Sequence, residues 1–250
     1  MSSLDSWAQE ILDDGVIDAD EVSQIRERLF EDGVIDREEA EFLFLLNDGA
    51  TDADESWGVL FVEALIAHLL EDDESPGAVD EDEATWLIEH IEGDGVVDEI
   101  ELALLVALTA NAAECHESIN AFTLAALKAA VIEDGIIDDD EAVMIQAVIY
   151  GQGGGSGADV DRAEADFLFD LNDATSGNDN CAAWERLFVE GIVQHLLCDD
   201  DSAGTIGAAE TVWLVERIEG DGQVDELERS LLVRLGDEGV TLPERLAALL

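Results

Sequence analysis

Apolar residues along this chain recur at three- and four-residue spacing and nowhere alternate with period two. Over the first half that spacing predicts helices at roughly 4–13, 18–30, 36–47, 57–70, 80–92 and 98–111. Apart from Gly58, Gly and Pro fall between these segments, so the expected fold class is all-α. The joints are short, which implies antiparallel neighbours packed as helical hairpins. The pattern then repeats. Arg37-Glu-Glu-Ala-Glu-Phe-Leu-Phe-Leu-Leu-Asn-Asp48 matches Arg162-Ala-Glu-Ala-Asp-Phe-Leu-Phe-Asp-Leu-Asn-Asp173, and Trp57, His68 and Trp86 match Trp184, His195 and Trp213. Ile91 to Gly95 matches Ile218 to Gly222. The chain therefore reads as an internal duplication, copy one at 1–113 and copy two at 118–250, with about six helices in each. A Gly-rich insert, 151–157, lengthens one joint of copy two, and Thr241-Leu-Pro-Glu244 opens a short final helix.

The joints share a motif: Asp-Gly, any residue, an apolar residue, Asp, two residues, Glu. It runs over Asp14–Glu21, Asp32–Glu39, Asp94–Glu101, Asp134–Glu141 and Asp221–Glu228, with looser versions ending at Asp80/Glu83 and Asp161/Glu164. Two physical readings fit it. In the first, Gly closes one helix in the left-handed conformation, the apolar residue plugs the core, Asp caps the next helix and Glu completes a capping box. In the second, the same residues are the later half of an EF-hand loop, with Glu gripping calcium through both oxygens.

Charge sharpens the choice without making it. The formal net charge is −53, from 63 acidic residues against 10 Lys and Arg, and Lys128 is the only lysine. With 48% hydrophobic residues the acids coat a packed core, and their repulsion must be offset by bound divalent cations or by high salt. There is no basic patch for phosphates, so neither nucleic acid nor an anionic membrane is an expected partner. No apolar run is long enough to insert into a membrane, and the N-terminus shows no signal-peptide pattern. A cytoplasmic protein is expected. Cys115, Cys181 and Cys198 lack metal or disulfide spacing and read as small packed residues.

Among the acidic loops, Asp72 to Glu83 is the strongest calcium candidate. In the EF-hand frame it offers Asp72, Glu74, the Ala78 carbonyl, Asp80 and Glu83, although Pro76 removes one ligand. The matching stretch of copy two keeps Asp199, Asp201 and Glu210 but has Gly207 where Asp80 stands, so it should bind more weakly. Asp94, Asp98 and Glu101, and likewise Asp221, Asp225 and Glu228, form half-loops at best, because the first ligand position holds His90 or Arg217. The Asn/Asp-rich stretches 47–54 and 172–180 offer hard oxygens but also make ordinary turns.

Glu63 and Glu190 sit in apolar helices five residues before His68 and His195. A structural carboxylate bonded to a helix end or to the Trp57/Trp184 indole is one expectation; a metal-dependent enzyme using Glu63 and His68 is the other. No nucleophile elbow, phosphate loop or HExxH motif is present, so the chain is expected not to be an enzyme.

The helical segments joined by Asp-Gly-x-Ile-Asp-x-x-Glu resemble the TerB-like proteins of tellurite and chemical-stress resistance. That resemblance implies an all-helical fold whose acidic helix ends hold divalent cations, and a stress-response role. The expectations are thus a non-enzymatic binder of Ca2+, or Mg2+ or another divalent cation, acting as buffer or cation-dependent scaffold. The alternative is a halophilic module whose function lies in a protein partner.

Overall fold

The computed structural model describes residues 3–31, 33–71, 75–93, 95–151, 159–197, 206–220 and 222–250. It is predominantly helical and divides into two compact units, residues 1–123 and 124–250. The first carries α1 (Ser3–Ile11), α2 (Ala19–Leu29), α3 (Arg37–Gly49), α4 (Glu55–Leu70), α5 (Glu81–Ile91) and α6 (Glu99–Asn111). The unit boundary falls within α7 (Glu117–Val131). The second continues with α8 (Asp139–Tyr150), α9 (Arg162–Thr175), α10 (Ala182–Leu197), α11 (Ala208–Ile218), α12 (Glu226–Asp237) and the short α13 (Glu244–Ala247). No described helix is long and apolar enough to cross a membrane.

The acidic residues start the helices. Asp18, Asp36, Asp80, Asp98, Asp138, Asp161 and Asp225 are each an N-cap in extended conformation. Each accepts the amide of a Glu three residues on, and that Glu accepts the cap's own amide. All these bonds measure 2.7–3.0 Å. Two amides that a helix start would leave without partners are satisfied, and the carboxylates face the positive end of the helix dipole. The joint glycine makes the turn possible: Gly15 sits at φ +79° and Gly77 at φ +80°, where a side chain would be strained.

Each unit is organised around one apolar helix. In the first, α4 buries Trp57, Leu60, Phe61, Ala64, Leu65 and Leu69 against α2, α3 and α6. In the second, α10 buries Trp184, Leu187, Phe188, Ile192 and Leu196 against α8, α9 and α12. Helices two apart in the chain therefore carry much of the packing, α1 against α3 included, so a short joint does not by itself make its two helices the main partners. The residue just before five of the seven caps plugs the core: Ile17 and Ile137 are fully buried, and Ile35, Val79 and Val160 nearly so, whereas Val97 and Val224 stay half-buried.

The joints also bind one another through their backbones. β1 (Val16–Ile17) pairs in parallel with β2 (Asp52–Ala53), and β3 (Ala78–Val79) with β4 (Glu114–Cys115). Amides just outside the pairs extend them: Asp54 N–H donates to the Ile17 carbonyl at 2.8 Å and His116 N–H to the Val79 carbonyl at 2.9 Å. In the second unit Cys181 N–H donates to the Ile137 carbonyl at 2.8 Å. Two-residue strands leave no side-chain period, which is why the all-helical expectation omitted them.

Candidate functional site

The α4–α5 joint borders a cleft of about 410 Å3 in the first unit, whose walls include Ile35, Arg37, His68, Glu71, Asp80 and Glu83. Asp82 also lines it. Asp80 Oδ1 accepts the amides of Asp82 and Glu83, both at 2.9 Å, while Oδ2 carries no hydrogen bond among the described residues. Glu83 Oε2 accepts the Asp80 amide at 2.9 Å and the Ser75 hydroxyl at 3.1 Å. His68 Nδ1 lies 2.8 Å from the Ile35 carbonyl. A carbonyl only accepts, so Nδ1 carries a proton. Arg37 lies over the Trp86 ring, 4.9 Å from its centroid, and places one cation on the rim. Asp72 and Glu74, the first two expected calcium ligands of this loop, lie outside the described residues.

The α5–α6 and α11–α12 joints are more fully engaged. Asp98 Oδ1 accepts the Ile100 and Glu101 amides at 2.8 Å, and Oδ2 accepts Asn47 Nδ2 at 2.8 Å. Asn47 Oδ1 in turn accepts the Trp57 indole N–H at 3.1 Å. In the second unit Asp225 Oδ1 accepts the Glu228 amide at 2.8 Å, while Oδ2 takes Asn172 Nδ2 at 2.8 Å and Ser176 Oγ at 2.9 Å. Glu101 and Glu228 are each only 3% exposed. Asp94 and Asp221 lie outside the described residues. The Asn/Asp-rich stretches thus act here as braces between a helix end and a helix start.

At the α10–α11 joint, Asp199 and Asp201 also lie outside the described residues. Glu210 is buried and accepts the Gly207 amide. Gly207, at φ −74°, offers no side chain to close the box.

Glu63 and Glu190 have partners the sequence did not suggest. Glu63 pairs with Arg26 of α2 at 2.7 Å, and Glu190 with Arg234 of α12 at 3.3 Å, both on half-exposed surfaces. The Trp57 indole is taken by Asn47 instead. His195 Nδ1 lies 2.9 Å from the Val160 carbonyl, as His68 does from Ile35. Each Glu and each His is therefore engaged by a different partner, and the expected Glu63–His68 pair is not bonded.

Two further features went unforeseen, the Lys128 cluster and Glu164, while Cys115 is buried as expected. Lys128 meets Asp170 at 2.6 Å, Arg217 meets both Asp170 and Asp166, and Asp166 accepts the Trp213 indole at 2.7 Å. Burial works to raise the Asp170 carboxyl, but the hydrogen bonds from Lys128 and Arg217 outweigh it and hold the group below the usual range. Glu164, 4% exposed, is pushed up to about 8 by burial. Cys115 is pushed up to about 12 by burial, which keeps it an inert thiol.

Among the described residues, no group of three or more His, Cys, Asp or Glu side chains is gathered closely enough to hold a metal ion. Comparison with known proteins finds no match to a family model, a curated protein or a solved structure.

Proposed function

We propose that the chain is a non-enzymatic, acidic helical protein that holds divalent cations, calcium before magnesium, at its helix joints. The observation that carries this is the α4–α5 cleft: Glu71, Asp80, Asp82 and Glu83 line one cavity, and capping occupies only one oxygen of Asp80. The EF-hand frame of the sequence names Asp72 and Glu74, which lie outside the described residues, as the further ligands of this loop. Residues 1–113 and 118–250 are then two copies of one cation-responsive unit of helical hairpins, in keeping with the likeness to TerB-like stress proteins. Ion binding offsets self-repulsion in a chain of net charge −53 and stabilises the folded state by mass action.

A second reading is favoured by the joints at Asp98 and Asp225, where helix amides and Asn side chains already occupy both carboxylate oxygens. On it the acids are caps and solvated surface, the chain is a halophilic interaction module, and function lies in a protein partner.

A calorimetric calcium titration of the full chain, with magnesium as competitor and Tm read in parallel, separates the two. At a hundredfold excess over Kd, calcium contributes about 2.7 kcal/mol, or roughly 5–10 °C in Tm. Asp80→Asn keeps an N-cap oxygen but removes the charge. It should leave the cation-free Tm nearly unchanged while cutting the calcium gain by at least half. Equal stabilisation by sodium chloride at matched ionic strength, undiminished in Asp80→Asn, decides for the halophilic module.

A further inference from the structure

The second unit holds a cleft of about 520 Å3 between the α9–α10 joint and the start of α12, lined among others by Asn172, Ser176, Asn178, Trp184, Asp225 and Arg229. Its volume is within the usual range for small-molecule sites. Trp184 is fully buried, and its indole Nε1 finds no acceptor among the described residues. In the first unit the aligned Trp57 gives its N–H to Asn47 Oδ1 at 3.1 Å. Asn172 aligns with Asn47 and keeps its bond to the cap carboxylate, here Asp225 at 2.8 Å, yet its Oδ1 does not receive the indole. The chain between Asn172 and Trp184 is two residues longer than that between Asn47 and Trp57. A donor and an acceptor that meet directly in one unit therefore do not meet in the other, neither has another partner among the described residues, and both residues line the same cleft.

We propose that this cleft binds a small neutral polyol or monosaccharide, one hydroxyl of which accepts from Trp184 Nε1–H and donates to Asn172 Oδ1. A hydroxyl is the simplest group that does both. Asn178 supplies a second acceptor: its Nδ2 donates to the Gly135 carbonyl at 2.7 Å, and its Oδ1 is unbonded among the described residues. A metal cation is a poor occupant, because both Asp225 oxygens are already bonded. An anion is disfavoured by Glu185 and Glu226 on the rim.

The test follows the indole N–H resonances of the five tryptophans in the 15N-labelled full chain, assigned through bonds. Myo-inositol, glucose and glycerol are titrated separately to about 100 mM, a range that covers millimolar affinities. The Trp184 resonance should move and saturate with at least one of them while Trp57 stays still. Asn178→Ala, an exposed change on the rim, should weaken that response by roughly fivefold or more, as loss of one hydrogen bond predicts. A Trp184 resonance that none of the three shifts overturns the proposal and leaves water as the occupant. So does a drift without saturation that Trp57 shares, or an undiminished response in Asn178→Ala.

Discussion

Asn47 and Asp98, 51 positions apart, are joined by one 2.8 Å hydrogen bond that ties the end of α3 to the start of α6. The same side chain takes the Trp57 indole N–H, so one amide satisfies a helix cap and the largest fully buried side chain of the unit together. Asn172 and Asp225, 53 positions apart, repeat the first bond. Asn47→Ala leaves the indole N–H of a residue 1% exposed without an acceptor, and should cost about 1–3 kcal/mol. Asn47→Asp keeps an acceptor for the indole but sets a second carboxylate against Asp98. It should therefore be more salt-sensitive than Asn47→Ala. Thermal melts at low and high sodium chloride check both, and equal salt dependence in the two variants would show that Asn47 does not face Asp98.

How far was this legible in the sequence? The helices were, because apolar spacing and the Asp-x-x-Glu caps mark the same starts: α3 was expected at 36–47 and runs Arg37–Gly49. The core plug at Ile17 and Ile137 was legible for the same reason. The braces were not, since an Asn closing a helix looks like turn chemistry until its partner, half a unit away in sequence, is placed beside it. The Lys128–Asp170–Arg217 cluster left one trace. Where the first unit has Leu45 and His90, the second has Asp170 and Arg217, a paired change between two helices that signals contact. The partners of Glu63 and Glu190 left none, because an Arg on a different helix carries no spacing signal.

Gly207 stands where Asp80 stands in the first unit, and its φ of −74° suits any residue. Gly207→Asp should gain a few tenths of a kcal/mol from capping alone. The new Cβ comes within 3.1 Å of Glu210 Oε2, the far end of a flexible side chain, so the gain will be trimmed but not reversed. If joints of this kind take up calcium, the variant should also show a larger calcium-dependent rise in Tm than the parent chain. A cap gain with no added calcium response would confine the Asp to its structural role.

The Arg26–Glu63 pair is short but exposed, 40% and 50% by side chain, so solvent screens it. Glu63→Gln should change stability by about 0.5 kcal/mol or less, measured by urea unfolding. A loss of several kcal/mol would mean that Glu63 supports something beyond this ion pair.

Glu164 sets a direction for the pH dependence of the second unit. Its ordinary value is 4.5 and burial pushes it up to about 8, so between those values the folded chain binds a proton that the unfolded chain has released. Stability from this group is therefore fully present below about 4.5 and is lost as pH rises through about 8. Glu164→Gln keeps an oxygen for the Asp161 amide, 2.7 Å away in the parent, but cannot ionise. The variant should melt close to the parent at pH 5 and above it at pH 9, by several degrees if one to two kcal/mol is recovered, at roughly 2–4 °C per kcal/mol. The rest of the acidic surface titrates alike in both chains, so the difference between their Tm–pH curves isolates this one carboxyl. Parallel curves from pH 5 to pH 9 would show that Glu164 is ionised throughout that range, its charge held by the Asp161 amide and the start of α9.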